Sequence, residues 1–185
     1  AMMENHEIRI SYRKYTSDEA ARYTLRPYAL KEFAKRWYLV AYCVERDGLR
    51  VYGLDRIQEM DVTDITFRME MDFDVEELFA TSFGIYIPQE KGKTIIFKTT
   101  RKEANFLRDL PIHKSQKELN LKDIRKYFPN FNPTEDNVYF EIFVCIDDAL
   151  IMEFCKHGGR LEVLAPDSVR KAVAEELVKA AALYR

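Results

Sequence analysis

The chain opens on a period of two. In Glu7-Ile8-Arg9-Ile10-Ser11-Tyr12, polar and apolar side chains alternate, the signature of a half-buried strand. Tyr23 to Leu30 also reads as extended, because Pro27 keeps the residue before it out of the helical region. Arg36 to Glu45 is a β-branched and aromatic run, and Arg46-Asp47-Gly48 supplies a tight turn. Leu49 to Ile57 is expected to return as the partner strand, with Arg50, Tyr52, Leu54 and Arg56 on one face. Short strands with no long helix between them predict a small antiparallel barrel or sandwich.

The second half changes rhythm. Thr94 to Lys98 reads as a strand, Thr100-Arg101-Lys102-Glu103 as a capping box, and Ala104, Leu107 and Leu110 as a short helix stopped by Pro111. Ile112 to Leu119 and Val138 to Ile146 are expected strands. Asp147 caps a helix that Gly158-Gly159 ends, and Arg160 to Leu164 is a further strand. Pro166 opens a final helix striped by Val169, Val173, Leu177 and Tyr184. This β-α-β-β-α-β order, with a terminal helix, is that of the ferredoxin-like fold. Asn120 to Asn137, with Pro129 and Pro133, reads as an inserted loop with a helical turn at Leu121–Phe128. The expected class is therefore α+β, an antiparallel barrel followed by a ferredoxin-like domain.

Charge adds a boundary. The 185 residues carry 29 Lys+Arg and 31 Asp+Glu, a formal net charge of −2. Residues 1–60 hold 11 basic and 9 acidic side chains, the remainder 18 and 22. From Asp61 to Glu77, seven acidic residues face only Arg68, which suggests a solvated connector at 61–77. The expected division is a barrel over 7–70 and an extension domain over 78–185. No apolar run is long enough for a membrane helix, and the net charge disfavours a protein that coats nucleic acid. Three widely spaced cysteines fit reduced thiols and a cytoplasmic protein better than a disulfide framework.

Most candidate chemistry falls away. Cys155-Lys156-His157 has too few ligands for zinc, so no metal or other cofactor is expected. Lys91-Gly92-Lys93-Thr94 lacks the earlier glycine of a phosphate loop, with Ile87 in its place, and reads as a hairpin turn. The acidic pairs Glu76-Glu77, Asp147-Asp148 and Glu175-Glu176 fall on helices, where adjacent residues do not face each other. No serine has a nucleophile-elbow context, and no catalytic residues are assigned. What remains is a set of tyrosines (12, 28, 38, 42 and 52) among the arginines of the first half. Arginine forks bind phosphate oxygens and aromatic faces stack bases, so this inventory suits a nucleotide or a single strand. The same arginines could equally be solvated and paired with Glu45, Asp47 or Asp55.

Around Arg36-Trp37-Tyr38-Leu39-Val40-Ala41-Tyr42 the sequence resembles the bacterial WYL-domain proteins. Ile10-Ser11-Tyr12, Arg26-Pro27-Tyr28-Ala29-Leu30 and Leu54-Asp55-Arg56-Ile57 extend the resemblance. Pro111-Ile112-His113-Lys114-Ser115-Gln116 and Gly158-Gly159-Arg160-Leu161-Glu162-Val163-Leu164 are similar to the extension that follows such domains. The resemblance implies an Sm-like, SH3-type barrel, a ferredoxin-like second domain and a role in transcriptional regulation. In such regulators an N-terminal helix-turn-helix binds promoter DNA and the WYL barrel senses a ligand, in some members a nucleotide or single-stranded DNA. It maps ligand contacts onto Arg26, Tyr38, Arg50 and Arg56, with Tyr12 nearby, and alternation then sends Trp37 under the barrel. Tyr23 stands where the family often has an arginine, with Arg22 next to it. No helix-turn-helix pattern precedes Ile8, and the opening Ala-Met-Met resembles an expression scar. The expectation is the effector-sensing, dimer-forming C-terminal part of a longer regulator, with a dimerisation scaffold lacking an active pocket as the alternative.

Overall fold

A computed structural model describes residues 1–69, 73–130, 134 and 136–185. Glu70 and Asp72 of the acidic run, and Pro133 of the inserted loop, lie outside the described residues. The chain divides into two compact units, one of residues 1–80 with 84–87, the other of 81–83 with 88–185.

The first unit is an antiparallel sheet of β1 (His6–Arg13), β2 (Ala20–Phe33), β3 (Arg36–Cys43), β4 (Gly48–Gly53) and β5 (Ile57–Thr66). Its strand order is β4-β3-β2-β1-β5. The expected barrel is thus a five-stranded sheet, and among the described residues no ladder joins β4 to β5 to close it. The alternation of β1 sends Ile8, Ile10 and Tyr12 into a core with Leu25, Leu39, Ala41, Cys43 and Tyr52. Two expectations change here. Leu49–Ile57 is not one strand, because a 3-10 turn at Leu54–Arg56 breaks it and β5 then turns away to pair with β1. The start of the acidic run is strand too, with Asp61 opposite Arg9 and Val62 opposite Ile8.

The turns of this sheet carry unusual backbone. The β2–β3 hairpin turns on Ala34 and Lys35, with φ of 49° and 64°, between the paired residues Phe33 and Arg36. Two positive φ values in succession define the turn that Asn-Gly normally makes, and here two side-chain-bearing residues make it. In the β3–β4 connection Asp47 rather than Gly48 takes the positive φ. At Pro27, which has no N–H to donate, the β2–β3 register shifts by one residue. The only α-helix of this unit among the described residues is α1 (Val75–Leu78), capped by the Asp74 carboxylate, which accepts from the Glu76 and Glu77 amides.

The second unit has strands β6 (Lys93–Thr100), β7 (Lys117–Leu119), β8 (Asn137–Val144) and β9 (Leu161–Ala165), all antiparallel in the order β7-β8-β6-β9. Between them run α2 (Arg101–Asp109), α3 (Leu121–Tyr127), α4 (Asp148–Lys156) and the final α5 (Asp167–Ala182). This is the ferredoxin-like arrangement, with α3 inserted between the two middle strands. Phe97 is fully buried, stacks on Phe140 and meets Phe154 edge-on, both at 5.6 Å, with Leu107, Leu150 and Val169 in the same cluster. Ile96, Leu119, Ile124 and Tyr139 form a second, smaller cluster that includes α3. Lys91-Gly92 leads into β6 and is not a hairpin turn, since among the described residues β6 pairs only with β8 and β9. A Cβ on Gly92 would sit 2.9 Å from the Phe143 ring.

The caps form where the sequence places them. Thr100 accepts from the Glu103 amide, Asn120 from those of Lys122 and Asp123, and Asp147 from that of Leu150. The capping box is only half made, because the Glu103 carboxylate turns to His157 instead, 2.8 Å away. The strand expected over Ile112–Leu119 shortens to three residues, because side chains take the hydrogen bonds of its first part. Gln116 accepts from the Ile112 amide and donates to the Leu107 carbonyl, and the Ser115 hydroxyl accepts from the Phe143 amide at 2.7 Å. Of the α5 stripe only Val169 and Val173 are buried, while Leu177 and Tyr184 are exposed. Among the described residues no helix is long and apolar enough to cross a membrane.

Candidate ligand site

The first unit threads its tyrosines on its arginines. The Arg46 guanidinium lies 4.8 Å from the Tyr23 ring and donates to that residue's hydroxyl at 2.6 Å. Tyr23 packs against Tyr52 at 5.8 Å, and Tyr52 meets the Tyr12 ring edge-on at 5.1 Å. Arg56 closes the series, with its guanidinium 5.2 Å from the Tyr12 ring and 4.8 Å from the Tyr15 ring. A cation over an aromatic face is attracted by the ring quadrupole and keeps its N–H donors free for another acceptor. Burial pushes the phenols of Tyr12 and Tyr52 above their ordinary range, so both stay neutral.

Arg56 borders a cavity of about 400 Å³ shared with Arg13, Lys14, Tyr15, Asp18 and Asp55. The Tyr15 hydroxyl donates to Asp55 Oδ2 at 3.2 Å and accepts from Arg36 Nη1 at 3.0 Å. Arg36 also reaches that Asp55 oxygen at 3.6 Å. Those contacts with Tyr15 and Asp55 raise the Arg36 pKa. Gly53 makes the folding-back of this turn possible. Its amide donates to the Tyr12 hydroxyl at 3.2 Å, and a Cβ there would lie 2.7 Å from Asp55 Oδ1 and 2.9 Å from Arg56 Nε.

Of the five expected ligand contacts, Arg56 and Tyr12 come together. The other three have different surroundings. Arg26 donates from Nε to Glu7 at 2.8 Å, a buried carboxylate whose hydrogen bond raises the Arg26 pKa. Its guanidinium lies 5.5 Å from the Tyr42 ring, and the Tyr42 hydroxyl in turn donates to Asp47. Arg50 is exposed and folds onto the backbone, donating to the Leu49 carbonyl at 2.6 Å. Tyr38 is buried, opposite Gly53 in the ladder, whereas Trp37 is 51% exposed. The two do alternate, with the faces reversed from expectation.

Tyr15, Arg36 and Asp55 complete the cluster around Arg56, and residue patterns did not single them out as ligand contacts. Arg36 precedes the Trp-Tyr-Leu tripeptide and Asp55 precedes Arg56, so both lay within blocks already noted. Tyr15 sits in an exposed turn outside any periodic segment and carries no such signal.

Comparison with known proteins bears on the same residues. A phosphopantetheine adenylyltransferase of Blochmanniella pennsylvanica is 25% identical over 104 residues, 54% of this chain and 56% of that protein. The chain therefore spans about half the length of the curated relative it matches. Proteasome accessory factor B/C (PafBC) of Arthrobacter aurescens aligns over 97% of this chain and 26% of its own, at 22% identity and a TM-score of 0.39. A CRISPR Cas-related protein aligns over 98% of this chain and 48% of its own, at 17% identity and a TM-score of 0.53, a likeness of fold. The family model of the WYL domain matches residues 1–62, which hold Tyr12, Tyr15, Arg36, Asp55 and Arg56. Over residues 1–62 this chain is similar to the WYL domain, the one stretch that the family model matches.

Proposed function

We propose that the chain is the effector-sensing and oligomerising part of a transcriptional regulator, and that its WYL domain binds a nucleotide or single-stranded nucleic acid at the Arg56 cluster. The observation that carries this reading is Arg56 lying over two tyrosine rings and lining the cavity with Arg13 and Lys14, while Arg36 reaches Asp55 of the same lining. Among the described residues Arg56 makes no ion pair, so its donors are available to phosphate oxygens. Tyr15, 71% exposed, offers a face on which a base can stack. Ligand occupancy would bias the arrangement of protomers and so the promoter affinity of an attached DNA-binding domain. A bias of that kind needs differential affinity between two states, typically about 1–3 kcal/mol. The WYL-domain match over residues 1–62 gives the proposal its class, and a cytoplasmic setting is proposed with it.

The test is binding of a fluorescent oligothymidine across a salt series. Affinity should fall as salt rises, and Arg56→Ala should weaken it about tenfold and lower the salt slope by about 1 while the fold is kept. Arg50→Ala, on an arginine already satisfied by backbone, should change affinity less than about twofold. No binding at 50 mM salt, or a flat salt series, overturns the reading. A second reading, a dimerisation scaffold without a ligand, draws on Arg26 and Arg50 being engaged within the fold. It predicts a dimer whose association is indifferent to Arg56→Ala.

A further inference from the structure

Asp55 is a carboxylate set among the groups that would hold a phosphate. Its Oδ2 takes the Tyr15 hydroxyl at 3.2 Å and faces Arg36 Nη1 at 3.6 Å. Both Asp55 and Arg56 pack over Gly53, and Arg56 covers the Tyr15 ring from 4.8 Å. A carboxylate in such a place is a chemical stand-in for an anionic ligand, with one negative charge and two acceptor oxygens.

We infer that Asp55 occupies the place of a ligand phosphate, and that the cluster therefore selects the terminal phosphate of a nucleotide or a strand end over an internal phosphodiester. The inference rests on the nucleic-acid reading above and adds the kind of phosphate that is read. Its basis is charge and donor count. A phosphodiester carries one charge and two free oxygens, so exchanging Asp55 for it returns what was given up. A phosphate monoester carries close to two charges at neutral pH and three acceptor oxygens, enough for Arg36, Arg56 and the Tyr15 hydroxyl together. The existing pair is weak enough to displace. The Arg36 and Asp55 side chains are 56% and 46% exposed, their contact is 3.6 Å, and ion pairs of that kind contribute little.

The experiment uses the full chain and two oligothymidines carrying a 3′ dye, one with a 5′-phosphate and one with a 5′-hydroxyl, at pH 7.5 and low salt. The 5′-phosphorylated strand should bind about fivefold more tightly, and the preference should shrink below about pH 6, where the second phosphate proton returns. Asp55→Asn, which keeps shape and removes charge, should tighten the hydroxyl-ended strand and bring the ratio close to one. A 3′-phosphorylated strand with a 5′ dye separates recognition of either end from recognition of the 5′ end alone, and a preference at either end supports the inference. Equal affinity for phosphorylated and unphosphorylated strands overturns it while leaving the nucleic-acid site standing, as does an Asp55→Asn variant that keeps the full preference. Absence of binding by every strand overturns the underlying reading as well.

Discussion

Both units pair cations with carboxylates, but among the described residues only the first also lays guanidinium groups over aromatic rings. In the second, cations meet carboxylates: Arg108 grips Glu118 with two N–H bonds of 2.8 and 3.0 Å, and Lys98 and Arg170 both reach Glu162 at 2.8 Å. His157, buried at the end of α4, lies 2.8 Å from Glu103 and 3.7 Å from Glu153, and Arg160 approaches Glu103 at 3.4 Å. In the first unit Arg46 and Arg56 lie over tyrosine rings instead. A ring fixes a guanidinium without neutralising it, whereas a carboxylate takes up both its charge and its donors. These cations of the second unit are committed to its own fold, and in the first unit Arg56 is left able to meet an anion from outside.

The backbones differ in the same sense. Thr100, Asn120 and Asp147 cap helices of the second unit with the residue types that caps favour. The first unit turns its main hairpin on Ala34 and Lys35 at positive φ, where neither residue is comfortable.

Three measurements would break or sharpen this contrast. The largest effect should come from the second unit's core. Phe97→Ala removes a buried ring in contact with two others and should cost about 3–5 kcal/mol in urea unfolding, with the first unit's oligonucleotide binding unchanged in the folded protein. Loss of binding at that site would mean the units are not energetically separate. Next, replacing Ala34-Lys35 with Asn-Gly should stabilise the first unit by about 1 kcal/mol, read as a higher denaturation midpoint. An unchanged midpoint would show that the turn is not strained.

The smallest effect is the pH dependence of the second unit. The carboxylates of Glu153 and Glu103 raise the His157 pKa, and the neighbouring imidazole lowers that of Glu153. A raised histidine stabilises fully below its unfolded value of about 6.5, and that contribution is lost as pH climbs through the folded value. A lowered glutamate stabilises fully above about 4.3, and its contribution is lost as pH falls through its own folded value. Denaturation across pH should therefore show this unit most stable between those limits, with the alkaline loss absent in His157→Gln. A profile still falling above pH 7 in that variant would assign the loss to another group.

Much of the second unit could be read from its residues because its signals are local. A cap, a stop and an apolar stripe each lie within one element, and Thr100, Asp147 and Gly158 act where they stand. The Ile112–Gln116 segment could not be read in that way. Its extended pattern gave way to side-chain hydrogen bonds with Leu107 and Phe143, residues 9 and 28 positions away along the chain. In the first unit, parity placed Arg50 and Arg56 on one strand face, and the 3-10 turn at Leu54–Arg56 removed the basis for it. Pairing β5 with β1 likewise turned part of an acidic connector into strand, because a ladder partner outweighs local composition.

By itself the sequence determined the α+β class, the order of elements, the caps, and the WYL blocks that hold Arg56 and Tyr12. Tertiary structure alone decided which arginines remain available. Arg26, Arg50 and Arg56 are alike as residues, and they part company only when folding brings Glu7 to the first, backbone carbonyls to the second, and the rings of Tyr12 and Tyr15 to the third. Propensity and period act over a few residues, whereas the partner that neutralises a charge or leaves it free arrives from distant strands.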